Sequence, residues 1–236
     1  MKICNNTYEI ISGIKEKLGH CKLALIDPDV KNDDKLNSIL DRIHSSDFHG
    51  LLIGGSSIAD NKFENRVKFI KENTDLPLIL FPGSHQQITK QIDTMLYLNL
   101  ISGRNPKYLI EEQVHGAIDI YNYNINPIPT AYILLDGGNK TSVSRVSQTV
   151  PLCMENKKNV LSHALAGQHL GNKLIYFDNG SGANFKIEVE LLKYINRHLT
   201  IPIIVGGGIK CDADIKELID SGASYIVVGT YFENNH

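Results

Sequence analysis

In "IPIIVGGGIK", residues Ile201–Lys210, an apolar run around a proline stops on three consecutive glycines, Gly206, Gly207 and Gly208. Glycine packs a core poorly and weakens a helix, so three of them mark a place where backbone must turn or approach something closely. The apolar run itself is continuous rather than alternating, as in a strand buried on both faces of a parallel sheet.

Seven further runs of the same kind flank it: "KLALID" (22–27), "GLLIG" (50–54), "LPLILFPG" (76–83), "TMLYLNL" (94–100), "PTAYILLDGG" (129–138), "NKLIYFDNGSG" (172–182) and "SYIVVGT" (224–230). Helical spacing appears between them. Leu36, Ile39, Leu40 and Ile43 share one face, as do Phe63, Val67 and Ile70, and then Ile187, Leu191, Leu192 and Ile195. "DADIKELIDSGA" opens on acids and stops at Gly222, and an amphipathic stretch near 7–18 precedes the first strand. Eight strands with helices between them predict an α/β chain folded as a single (β/α)8 TIM-type barrel over residues 1–236. A doubly wound open sheet is the competing topology. Two connections are short. Only "SHQQITKQID" joins strands three and four, so the third helix is reduced. Only "YFENNH" follows strand eight, so the C-terminal helix is truncated.

Composition narrows the function. A net charge of −2 gives no basic bias towards nucleic acid, so phosphate recognition here must be local. The four cysteines lie far apart without a C-x-x-C pair, and the nine histidines form no H-x-x-x-H pair. Reduced thiols, no signal-peptide core and no run of about 18 apolar residues predict a cytoplasmic protein without an integral membrane segment.

In barrels of this type the chemistry sits at the carboxyl ends of the strands. Here those ends read Asp27-Pro28-Asp29, Gly54-Gly55-Ser56-Ser57, Phe81-Pro82-Gly83, Asn99, Asp136-Gly137-Gly138, Asp178-Asn179-Gly180-Ser181-Gly182, Gly206-Gly207-Gly208 and Gly229-Thr230. Glycines after strands six, seven and eight can present backbone N–H groups to a phosphate, or can simply make tight turns. Asp27 can bind Mg²⁺ with help from Ser56 or Ser57, or can cap an Asx turn. Asp136 can be a ligand or a turn former.

Taken together, "LIDPD" (25–29), "LLIGGSS" (51–57), "LILFPGS" (78–84), "YFDNGSGA" (176–183), "PIIVGGGIK" (202–210) and "IVVGT" (226–230) resemble the geranylgeranylglyceryl phosphate synthase family, the PcrB-like prenyltransferases. The resemblance implies Mg²⁺-dependent transfer of a long prenyl group, such as geranylgeranyl, from its diphosphate to the C3 hydroxyl of sn-glycerol 1-phosphate. It implies Asp27 and Ser56 as Mg²⁺ ligands. It assigns glycerol phosphate binding to Tyr176, Phe177, Asp178, Asn179, Gly180, Ser181 and Gly182, to Gly206 and Gly207, and to Gly229 and Thr230. It also implies a homodimer or larger homo-oligomer. The family's "YLE" segment carries a glutamate as base or orienter; here the matching residue is Asp178, one methylene shorter. A groove for the prenyl chain is expected around strands two to four and residues 105–127, with Tyr108, Tyr121 and Tyr123 as candidates. Two other readings compete: a phosphate-binding barrel isomerase or synthase, and a non-catalytic phosphate- or lipid-binding relative.

Overall fold

The computed structural model describes residues 6–56 and 59–229. Eight parallel strands close into a barrel in sequence order: β1 (Cys21–Ile26), β2 (Gly50–Ile53), β3 (Leu78–Leu80), β4 (Thr94–Leu100), β5 (Asn126–Leu134), β6 (Leu174–Asp178), β7 (Ile203–Gly206) and β8 (Tyr225–Val228), with β8 pairing back onto β1. Closure excludes the open doubly wound sheet.

Strand alternation divides the core in two. Leu23, Leu52, Ile79, Leu96, Ile128, Leu174 and Tyr225 fill the barrel, while Ala24, Leu51, Leu80, Ile175 and Ile203 face the helices. The helices are α1 (Thr7–Leu18), α2 (Leu36–His44), α3 (Phe63–Glu72), α4 (Glu112–Asn122), α5 (Ser142–Ser147), α6 (Lys157–His169), α7 (Val189–Asn196) and α8 (Asp212–Asp220). Helix α1 precedes the barrel, and its Ile11 is buried with the interior cluster. Asn6 caps it by accepting from the Glu9 amide, and Gly19 ends it in the left-handed region.

Helices α4 and α6 lack the clear apolar spacing of α2, α3 and α7. In α4 a buried face through Gly116 and Ile120 is matched by exposed Val114, Ile118 and Tyr121, so no single stripe stands out. In α6 the contact face includes Ala164 and Gly167; a Cβ on Gly167 would lie 2.5 Å from Ala131. Close approach there depends on missing side chains, which hydrophobic periodicity does not register.

Between β3 and β4 there is only a 3₁₀ turn, His85–Gln87. Strands β3 and β4 pair at a single register position, Leu80 with Met95. The wall of the barrel is therefore thin at this point, and no helix covers the outer face of β4 from that connection. Residues 230–236, where a truncated C-terminal helix is expected, lie outside the described residues, Thr230 among them, as does Ser57.

Candidate active site

One cavity of about 420 Å³ opens at the carboxyl ends of the strands. Asp27, Ser56, Tyr176, Asp178, Ser181, Gly207 and Gly229 all line it, so residues from five separated stretches of sequence converge. Phe177 does not face it. Its side chain is fully buried in the outer core, because it alternates with Tyr176 and Asp178 along β6. Asn179 also turns away, its amide nitrogen donating to the Met154 sulfur at 3.7 Å.

Asp178 ends β6 and is nearly enclosed, with 7% of its surface exposed. One carboxylate oxygen accepts the Tyr132 hydroxyl, and the other accepts the Gly180 amide at 2.7 Å. The Asn179 amide donates to the Gly206 carbonyl at 3.0 Å. Two amides of the "DNGSG" turn thus hold the turn and its acid together rather than facing a ligand. Burial pushes the Asp178 carboxyl above the ordinary aspartate range, against the Tyr132 and Gly180 hydrogen bonds. Tyr132 and Tyr176 are held far above the usual phenol range, by burial first and then by the Asp178 charge.

Tyr132 is not singled out by any sequence motif. It lies on β5 in register with Tyr176, and strand alternation turns both rings into the barrel. Their centroids are 5.3 Å apart in an edge-on contact, and Phe81 stacks on Tyr176 at 5.2 Å. Gly206 makes room for this cluster, since a Cβ there would stand 2.6 Å from the Tyr176 hydroxyl. At Gly207, φ is +83° and a Cβ would fall 2.7 Å from the Gly180 amide nitrogen. The chain can pass between β6 and β7 here only without a side chain.

Across the barrel mouth, Asp27 continues the inward phase of β1. One of its oxygens accepts from Lys31 Nζ at 2.9 Å. The other stands where a Cβ on Gly55 would lie, 2.1 Å away. Burial raises the Asp27 carboxyl pKa and Lys31 opposes it. Two further residues that carry no sequence signal fix these loops. Gln87 is 1% exposed; its Nε2 donates to the Gly55 carbonyl at 2.8 Å and its Oε1 accepts the Gly83 amide at 3.0 Å. Arg66, on α3, is 5% exposed and pairs with both Asp33 and Asp60, joining the loops that follow β1 and β2.

Away from the carboxylates the cavity turns apolar. It runs over the short β3–β4 junction, past Met95 and Tyr97 on the outer face of β4, to Ile88 and Ile120. The trough occupies the flank that the reduced third helix leaves uncovered. Tyr108 lines it, whereas Tyr121 is 83% exposed and Tyr123 is also at the surface; neither lines the trough.

A closed parallel barrel that joins buried carboxylates, a glycine-rich rim and a long apolar trough in one cavity is the architecture of a (β/α)8-barrel enzyme with a two-part substrate site. The chain belongs to the PcrB family, whose model matches residues 12–236. The geranylgeranylglyceryl phosphate synthase of Flavobacterium johnsoniae is 40% identical over 234 residues, covering 99% of this chain and 96% of that protein. That of Pyrococcus abyssi is 36% identical, covering 89% of this chain and 83% of its own. The crystal structure of (S)-3-O-geranylgeranylglyceryl phosphate synthase from Thermoplasma acidophilum, in complex with substrate sn-glycerol-1-phosphate, superposes with a TM-score of 0.90 at 32% identity, over 98% of this chain and 92% of that one. An N-acetylmannosamine-6-phosphate 2-epimerase from Clostridium perfringens, 14% identical with a TM-score of 0.60, shares the fold alone. Among the described residues no helix is long and apolar enough to cross a membrane.

Proposed function

We propose that this enzyme is a prenyltransferase that joins a long prenyl group, such as geranylgeranyl, to the C3 hydroxyl of sn-glycerol 1-phosphate and releases diphosphate. The observation that carries the reading is the shape of the cavity: polar and glycine-rim residues at one end, an apolar trough at the other, and a buried carboxylate between. An isomerase of a small sugar phosphate would use the first part and leave the trough without a purpose. The family membership and the named relatives support the same assignment.

In this reading the phosphate monoester lies against the Gly206–Gly207 turn and Ser181, with Gly229 on its other side; Thr230 belongs to the proposed set but lies outside the described residues. Tyr176 walls the glycerol portion. The prenyl tail runs past Tyr97 and Met95 towards Ile88 and Ile120, where burial of apolar chain contributes about 0.8 kcal/mol per CH₂. Asp178 faces the junction of the two substrates. There it orients the acceptor hydroxyl and receives its proton as the oxygen bonds to the allylic carbon and diphosphate departs. With both substrates bound, the filled cavity leaves no room at the reacting carbon for water, which would otherwise compete as the acceptor.

Asp27 and Ser56 would hold Mg²⁺. The donor set suits a hard cation that keeps water and phosphate oxygens in its shell: one carboxylate and one hydroxyl, with no cluster of three His, Cys, Asp or Glu among the described residues. When bound, the ion neutralises charge on the leaving diphosphate. A homodimer or larger assembly belongs to the same proposal, supported by the exposed apolar stripe Ile110, Val114, Ile118 and Tyr121; light scattering reads it directly.

The test is incubation with labelled sn-glycerol 1-phosphate, Mg²⁺ and prenyl diphosphates from C10 to C35, followed by organic extraction. A labelled lipid with one preferred chain length, abolished by EDTA, is expected. Full thermal stabilisation by glycerol phosphate with no product at any length would instead establish a non-catalytic binder.

A further inference from the structure

Asp178 is placed to accept a proton, yet both its oxygens are already engaged and its carboxylate is nearly closed off. The Gly180 amide holds Oδ1 from within the turn that follows β6, so it cannot leave without breaking that turn. The partner of Oδ2 is different. Tyr132 reaches it from the neighbouring strand, and both residues line the cavity. The phenol is pinned by Tyr176 and Phe81, which fix its ring from two sides. Both Asp178 and Tyr132 line the cavity, so a hydroxyl that enters beside the phenol meets the Tyr132 oxygen on its way to Asp178 Oδ2.

We propose that the Tyr132 hydroxyl is a proton relay between the acceptor hydroxyl of glycerol phosphate and Asp178. The inference rests on the prenyl transfer proposed above. As a lone pair of the acceptor oxygen forms the bond to the allylic carbon, the bond from that carbon to diphosphate breaks and its electron pair leaves with diphosphate. The acceptor proton passes to the Tyr132 oxygen, and the Tyr132 proton passes to Asp178 Oδ2. The net result is one proton on Asp178, returned to solvent when product leaves. Phenol and carboxylate together thus do what the short aspartate does not reach to do alone. Burial favours this direction of transfer, since it makes the carboxylate a stronger base and keeps the phenol protonated at rest.

The experiment compares wild type, Tyr132→Phe and Tyr132→Phe/Asp178→Glu in the labelled-lipid assay, with glycerol phosphate thermal shift as the check of folded sites. Product from wild type establishes the reaction independently; its absence would sink the prenyl transfer reading, and the relay with it. With wild type active, Tyr132→Phe is expected to lose about 10²-fold in kcat. Its KM for glycerol phosphate should stay within about threefold, because the phosphate contacts are elsewhere. The added methylene of glutamate reaches past the missing hydroxyl, so the double variant should recover about tenfold or more over Tyr132→Phe. A Tyr132→Phe enzyme within about threefold of wild type, or a double variant no faster than Tyr132→Phe, overturns the relay. If Tyr132→Phe does not fold, fluorotyrosine at position 132 keeps the shape and makes the phenol more acidic. The rate at fixed pH and its solvent deuterium isotope effect then differ from those of the wild type if the phenol carries the proton, and an unchanged rate and isotope effect overturn the proposal.

Discussion

Gly55 is small because Asp27 stands beside it. A Cβ at position 55 would meet Asp27 Oδ1 at 2.1 Å and its Cγ at 2.6 Å, too close for either to stay in place. Gly55→Ala should therefore push the carboxylate off its position and raise the Mg²⁺ concentration needed for half-maximal activity, read from a metal titration of the rate. An unchanged requirement would mean that Asp27 takes no part in holding the ion. Asp178 allows a test through pH. Its carboxyl is raised above the ordinary aspartate range by burial. The ionised form is the proton acceptor, so kcat falls as pH drops through that raised value, and the acid limb lies above the ordinary aspartate pKa. Losing the Tyr132 hydrogen bond, which favours the ionised form, should move the limb further up. Asp178→Asn keeps the shape and removes the base; a loss of about 10²–10⁴-fold is expected.

At the scale of elements, the loops after β1 and β2 owe their relation to one side chain from α3. Arg66 holds Asp33 and Asp60 at once, and its fork also lies 3.5 Å from the Pro28 carbonyl. Lysine offers no planar fork, so Arg66→Lys should lower Tm and weaken Mg²⁺ dependence on Asp27 and Ser56 together. The Arg66 hydrogen bonds hold the Asp60 pKa down to about 2 from an ordinary 3.8. A depressed carboxylate contributes stability that is present above the unfolded value and lost as pH falls through the folded one. Acid denaturation should therefore steepen between pH 3.8 and about 2 in wild type, and lose that component in Arg66→Met. The trough makes a second point at this scale. It exists because the β3–β4 connection is a 3₁₀ turn, and the turn packs on α4 where Gly116 leaves 2.5 Å between a would-be Cβ and Ile88. Gly116→Val should separate these walls and shift the preferred prenyl length, seen in the product profile.

For the whole molecule, the barrel has a chemically active end and a closed one. Cys21 opens β1 at the closed end, fully buried, and burial pushes its thiol up to about 12. Cys153 and Cys211 are exposed. Of the three cysteines among the described residues, a thiol reagent should label Cys153 and Cys211 in the native state and reach Cys21 only on unfolding; native labelling of Cys21 would show that the floor opens.

The eight strands were legible in the chain because parallel strands buried on both faces leave unbroken apolar runs, and helices α2, α3 and α7 leave one-sided ones; closure into a barrel rather than an open sheet was not. The reduced third connection was legible as a count of residues. Asp27, Ser56 and the glycines stood out because each ends such a run. Helices α4 and α6 did not, since one exposes apolar residues and the other packs through small ones. Nor did the direction of Phe177 or the exposure of Tyr121, because a motif carries identity and not facing. Tyr132, Gln87 and Arg66 each reach a partner far off in the chain, 46, 32 and 33 residues away, and their roles depend on it. Local pattern determined where the strands run and where the chemistry must gather. Closure of the barrel decided which side chains meet there, because contact across strands depends on register, and register is a property of the assembled sheet.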